Sequence, residues 1–386
     1  RLLKDGDVAL AEQVAEAIAR SDPDWEDAQL IAGEAALKSG APLRSLDHYL
    51  LLARESDDPP RAAEGHYYAA EVYRELGRLA EAEASYRAVL EVLPGNAATH
   101  ERLALLLSAC GRTWEARTHF WFLVKSGSVR LEELSLFADL DRSSDQRPFL
   151  LAALAKSPDD PLVQLGLALH DYWEGHTAQA LGRLEPLLEQ HPEYIVGQAV
   201  IGETLVDGPP REFLEWNHAL PAGSDQHPDI WYVRGLWARH QGHLEVAARC
   251  FWETVRLAPS HRRSTYQLGQ ILTSLEVPGS EAYRTRAGQL IRLTQTIDAV
   301  LRSKGQREEP MRQTAELLEQ MGRIWEACGW ALLVRQQFPQ SPWPGPVFAR
   351  LRPLLSETLP ITRPEDNLAV QFNLSDYPSF ESLVEE

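Results

Sequence analysis

Residues 231–259 read WYVRGLWARHQGHLEVAARCFWETVRLAP. Two stretches of helical periodicity flank Gly242. Trp231, Gly235, Gly242, Ala247, Phe251 and Pro259 follow one another at separations of four, seven, five, four and eight. An α-helix puts residues three and four apart on one face. Gly235 and Ala247 are then small residues through which two helices approach, and Phe251 fills the space beside them. Gly242 permits a tight or left-handed backbone where the first helix stops. Pro259 ends the second helix. The stretch predicts a helix–turn–helix hairpin.

The spacing recurs along the chain. Gly77, Ala82, Tyr86 and Pro94 repeat it. A shift of 34 residues brings Gly111, Ala116 and Phe120 into register, with Ser128 at the proline position. Gly175, Ala180, Leu184 and Pro192 match, as do Gly322, Ala327, Ala331 and Pro339. Gly40, Ser45 and Tyr49 match more weakly, and Gly6, Ala11, Ala15 and Pro23 read as the second half of one unit. Small residues in the first helices (Ala70, Ala104, Ala168, Gly235, Gly269, Ala315) complete the pattern. Such a unit cannot bury its apolar face alone, so copies stack.

The period and the small–Gly–Ala–aromatic–Pro order resemble the tetratricopeptide repeat family. The likeness covers about 26–341, best at 228–261 and well at 63–96, 97–130, 161–194 and 308–341. Units 127–160 and 195–227 are degenerate. Unit 262–307 carries an insertion at Val277-Pro278-Gly279 and a long second helix. The resemblance implies an all-α, right-handed superhelical solenoid of about nine to ten hairpins. Residues 1–25 read as a partial repeat. PWPGP at 342–346 punctuates the end of the array, 342–357 reads as a capping helix, and 358–386 as an extended tail.

Composition sets the function classes. Of 386 residues 44% are hydrophobic and 24% charged, which fits a folded chain. The formal net charge of −18 disfavours a nucleic-acid partner, because phosphates need a basic field. No apolar run is long enough to span a membrane. Cys110, Cys250 and Cys328 form neither a disulfide framework nor a zinc motif, which points to a reducing, cytoplasmic setting. The chain opens at Arg1 rather than Met and reads as part of a longer or processed protein.

No nucleophile elbow, zinc-protease signature, P-loop or dinucleotide fingerprint occurs. His240 and His243 straddle the helix-ending Gly242, and no carboxylate or cysteine cluster stands beside them. No catalytic, metal or cofactor site is therefore expected. Binding is the better class. The resemblance implies that the second, fifth, sixth, ninth, twelfth and thirteenth residues of each unit face a concave groove. The groove candidates so counted are Tyr67, Tyr68, Arg74, Arg102, Tyr172, Trp173, Tyr232, Arg239, Arg263 and Tyr266. Aromatic and arginine side chains are the usual interface anchors. The family's carboxylate clamp needs Lys and Asn at fixed positions, and those positions hold Leu30, Tyr67, Glu101, Leu165, Glu34, Glu71, Leu105 and Leu169.

The expectation is a non-enzymatic scaffold holding a protein or peptide segment. The alternative is a recruiting or regulatory module of a longer enzyme. In the tail, Phe372, Leu374 and Tyr377 must bury on the repeats if they are ordered. The expected seat of residues 367–380 is the aromatic surface around Tyr172, Trp173, Tyr232 and Tyr266, with Glu381, Glu385 and Glu386 toward Arg239 or Arg263.

Overall fold

The computed structural model describes residues 3, 7–141 and 146–384. Gly6, the loop at 142–145, Glu385 and Glu386 lie outside them. The described residues form twenty-one α-helices, four short 3₁₀ turns and no strand. The expected class, all-α with stacked hairpins, is the class observed.

The chain divides into two compact units, 1–110 with 145–167, and 111–144 with 168–386. The first unit holds α1 (Val8–Glu16), α2 (Trp25–Lys38), α3 (Pro42–Glu55), α4 (Pro59–Glu75), α5 (Leu79–Val92) and α6 (Ala97–Ala109), each packed on the next. The second unit begins with α7 (Thr113–Ser126) and α8 (Leu131–Ala138), whereas α9 (Arg147–Leu154) belongs to the first. Helix α10 (Pro161–Trp173) runs through the boundary. The second unit continues through α11 (Thr177–Gln190), α12 (Ile195–Leu205), α13 (Pro210–His218), α14 (Pro228–His240) and α15 (Leu244–Leu257). It ends with α16 (Arg262–Ser274), α17 (Ser280–Arg302), α18 (Glu308–Gln320), α19 (Ile324–Gln337), α20 (Pro344–Leu351) and α21 (Leu368–Gln371).

The spacing code has a direct physical meaning. Gly242 turns the α14–α15 hairpin at φ 86°, a left-handed conformation that costs glycine nothing. Gly40, Gly77, Gly111, Gly175 and Gly322 also have positive φ. A Cβ at Gly235 would lie 2.7 Å from the Phe251 ring, so glycine is what lets that ring in. Ala247, Phe251, Tyr86 and Phe120 are fully buried. Pro94, Pro192, Pro259 and Pro339 each stand just past the last turn of a second helix.

The second unit closes on itself. Helix α8 packs against α17 and α19, and α7 also meets α19. Arg323, 2% exposed, fastens this closure by donating to the carbonyls of Ala138 at 2.8 Å and Phe137 at 2.7 Å. Its guanidinium also forks onto fully buried Glu326, with both contacts at 2.6 Å. Burial lifts the Glu326 carboxyl to about 7 against the pull of Arg323.

The tail is seated, but not at its expected place. Its short helix α21 lies on α15, and residues 380–383 also touch α15. Leu368, Ala369, Leu374 and Phe380 join the buried core of the second unit, with Phe372 and Tyr377 packed at its margin. Trp252 Nε1 donates to the Ala369 carbonyl at 3.1 Å and Arg249 Nη1 to the Leu374 carbonyl at 2.9 Å. The Phe380 ring meets those of Phe213 and Trp237. The physical reason is surface type. At the seat Phe213, Trp237 and Tyr283 meet the tail's rings while Trp252, Arg249 and Arg286 donate to its carbonyls, whereas around Tyr172 and Tyr232 the same apolar side chains would face Arg263, Glu203 and Asp229.

Candidate binding cavity

Inside the second unit lies a cavity of about 680 Å³. This size is typical of ligand pockets. Its walls come from α7, the end of α8, the end of α10, α12, the start of α14, the α15–α16 loop and the first residues of the tail. Aromatic faces are supplied by Trp114, Trp121, Phe137, Tyr172, Trp173 and Tyr232.

The polar wall is a connected network. Arg263 Nη1 lies 3.2 Å from Glu203 Oε1, and the Arg263 guanidinium sits over the Tyr232 ring with Cζ 4.3 Å from its centre. Its side chain is 45% accessible because it faces the cavity. Burial opposes its charge, but Tyr232, Glu203, Asp229 and Asp141 outweigh burial and hold it above the ordinary guanidinium range. Burial, then Glu203, pushes the Tyr172 phenol above its usual range.

Asp229 stands between two histidines. Each histidine caps a helix: His227 Nδ1 accepts the Asp229 N–H at 3.3 Å and His261 Nδ1 accepts the Ser264 N–H at 3.1 Å. With Nδ1 accepting, Nε2 is the nitrogen His261 turns to Asp229 Oδ1, at 3.6 Å. Burial disfavours the Asp229 charge, yet His261, His227 and Arg263 hold its carboxyl well below the ordinary range. Burial pushes the His227 imidazole down, despite Asp229 beside it. These groups fasten the starts of α14 and α16 and set a fixed charge pattern on the wall.

Arg117 is different. Its Cζ lies 3.2 Å from the centre of the Trp114 ring, and Nη1 donates to the Trp114 carbonyl at 2.7 Å. Burial pushes this guanidinium down to about 10, against the opposing pull of Glu115.

Of the ten groove candidates, Tyr172, Trp173, Tyr232 and Arg263 meet in this cavity. Arg239 lies outside it, bonded to Gln267, and Tyr266, 49% exposed, accepts from Gln270 at 2.6 Å. The other four belong to the first unit. There Tyr68 stacks on Tyr49 with ring centres 5.2 Å apart, and Tyr67 packs edge-on to Tyr68 and Tyr86. Glu71 gathers Arg74 and Arg102, each at 3.1 Å, and accepts from the Tyr86 hydroxyl. Counting first-helix positions missed Trp114 and Arg117, which project from a second helix, and His261 and Arg262, which cap and begin α16. The legible signal was Trp114 and Arg117 three apart on one helix face, where they stack.

Among known proteins, the tetratricopeptide repeat model matches residues 63–96. No curated protein matches the chain. The chain is similar to the human IFIT1 dimer solved with m7Gppp-AAAA, at 14% identity and TM-score 0.35, over 100% of this chain and 94% of that one. It is similar to yeast Tom70 at 14% identity and TM-score 0.28, over 82% and 77% of the two chains. It is also similar to the Cut9–Hcn1 hetero-tetramer of the APC/C, at 12% identity and TM-score 0.34, over 91% and 88%. With TM-scores this low, the likenesses carry no functional inference.

Proposed function

We propose that this chain, which carries a tetratricopeptide repeat at 63–96, is a non-catalytic binding scaffold whose second unit holds a protein segment in its cavity. One observation carries the reading. Tyr172, Trp173, Tyr232 and Arg263 converge on one cavity, although they come from three helices far apart in sequence. Trp173 remains 42% exposed beside them. An exposed indole and a phenol next to a fixed guanidinium are the anchors that bury best on a partner. The repeat units supply a stiff wall, so little ordering cost falls on the protein when a segment enters.

No helix among the described residues is long and apolar enough to cross a membrane. The docked tail gives Pro360, Ile361, Thr362 and Asn367 to the cavity wall, while its anchors Leu374 and Phe380 sit in the core away from it. Selection of displayed peptides on the full chain tests the reading. Selected peptides should lose binding to the Trp173→Ala and Tyr172→Phe/Trp173→Ala variants and should crosslink to a photoreactive residue at position 173. Peptides that bind both variants as well as the parent would sink it.

A further inference from the structure

We propose that the segment bound in the second unit's cavity presents an anionic group, a carboxylate or a phosphate, to Arg117 and Arg262. This rests on the binding reading above and specifies its ligand. Five arginines line the cavity, and three already face carboxylates: Arg323 faces Glu326, Arg256 faces Glu253 and Arg263 faces Glu203. The carboxylates in the wall are engaged as well. Asp141 accepts the Arg262 backbone N–H at 2.7 Å, Glu203 holds Arg263, and Asp229 faces His261.

Arg117 and Arg262 remain. Among the described residues Arg117 bonds the Trp114 carbonyl and makes no hydrogen bond or ion pair to a carboxylate; Glu115, which pulls on it, is bonded to Arg112. Arg262 Nε is buried with no hydrogen-bond partner. Both residues are half-buried, and a charge that gives up part of its hydration is usually paired in return. Two guanidiniums in one cavity, both short of acceptors, are relieved by an anion that enters it. Guanidinium forks match carboxylate and phosphate oxygens equally in shape. The Trp114 face fixes the Arg117 plane, and Trp121 and Trp173 offer stacking surface for an aromatic or apolar neighbour of the anion. The chain's own charge of −18 selects the source. It repels an extended polyanion such as nucleic acid, while a single anionic residue in a protein segment meets little of that field.

The test is tryptophan-fluorescence titration of the full chain with phenyl phosphate, phenylacetate and the neutral 2-phenylacetamide. Both anions should saturate and the amide should not. Arg117→Gln and Arg262→Gln should each weaken anion binding about tenfold, the usual loss of a charged hydrogen bond. Arg239→Gln, outside the cavity, should change nothing. Should a Gln variant melt early, the Arg117→Lys and Arg262→Lys variants decide, since charge retention should recover part of the affinity. Tighter phosphate than carboxylate assigns a phosphorylated residue, and the reverse assigns an acidic side chain or chain end; either supports the proposal. Equal binding of the amide, or anion binding unchanged in both Gln variants, overturns it. Tighter binding of a single-stranded oligonucleotide than of phenyl phosphate also overturns it. Selected peptides that need Trp173 but ignore both Gln substitutions would remove the anion assignment and leave the binding reading standing.

Discussion

The two units put the same residue types to different uses. In the first, Tyr67, Tyr68, Arg74 and Arg102 find partners within their own repeats, with Glu71 as the hub. In the second, Tyr172, Trp173, Tyr232 and Arg263 face about 680 Å³ of space. What separates them is closure. Where α8 meets α17 and α19, the second unit wraps its inner wall around a volume, and side chains that would otherwise pack on neighbours line it instead. An aromatic at a groove position is therefore a ligand anchor only where the local fold leaves space in front of it.

The largest effect should come from the residue that fastens the closure. Arg323→Met leaves fully buried Glu326 without its guanidinium and strips two carbonyls of their donor, a loss of about 3–5 kcal/mol in the second unit. Without Arg323 the carboxyl holds its proton to still higher pH in the fold. Protonation then favours the folded state, so the variant should lose stability as pH rises from about 4.5 through neutrality. Chemical denaturation at two pH values reads both effects.

Next comes the tail. Truncation after Pro360 removes Leu368, Leu374 and Phe380 from the core. Amide exchange in α15 and α17 should accelerate by more than about tenfold, while α4 and α5 of the first unit keep their protection. Unchanged exchange in α15 would show that the tail is not seated there.

Ala247→Leu should destabilise the second unit by about 1–3 kcal/mol through overpacking, since the alanine is fully buried beside its partner helix. A melting midpoint equal to that of the parent would remove the small position from the packing code.

The smallest effect concerns His227. Its folded-state pKa is depressed by burial, so as pH falls through about 6.5 the unfolded chain takes up a proton that the fold resists. Stability should decline between pH 7.5 and 5, and His227→Gln should flatten the decline. The range stays above the window in which Asp229 loses its charge.

Much of the fold is legible in residues 231–259, because the pattern Gly235, Gly242, Ala247, Phe251 encodes contacts inside one hairpin, and local contacts repeat wherever the spacing repeats. The long α17 is also legible, through the insertion at Val277-Pro278-Gly279. The cavity is legible only in part. Tyr172, Trp173, Tyr232 and Arg263 come from first-helix counting, but Arg117, Arg262 and Arg323 depend on how distant helices meet. No spacing within a repeat encodes the meeting of α8 with α19. The seat of the tail was missed for a related reason: Phe372 and Leu374 announce that they must bury, but the surface they bury on is assembled from four helices.

The central claim is that the ligand site lies in the second unit and not along the first. Isothermal titration of one selected peptide against Trp173→Ala and Tyr67→Ala tests it most directly. Loss of an interface aromatic anchor costs about 2 kcal/mol or more, so Trp173→Ala should weaken binding by more than about tenfold while Tyr67→Ala leaves the affinity unchanged. An affinity lost with Tyr67 and kept without Trp173 would contradict the account.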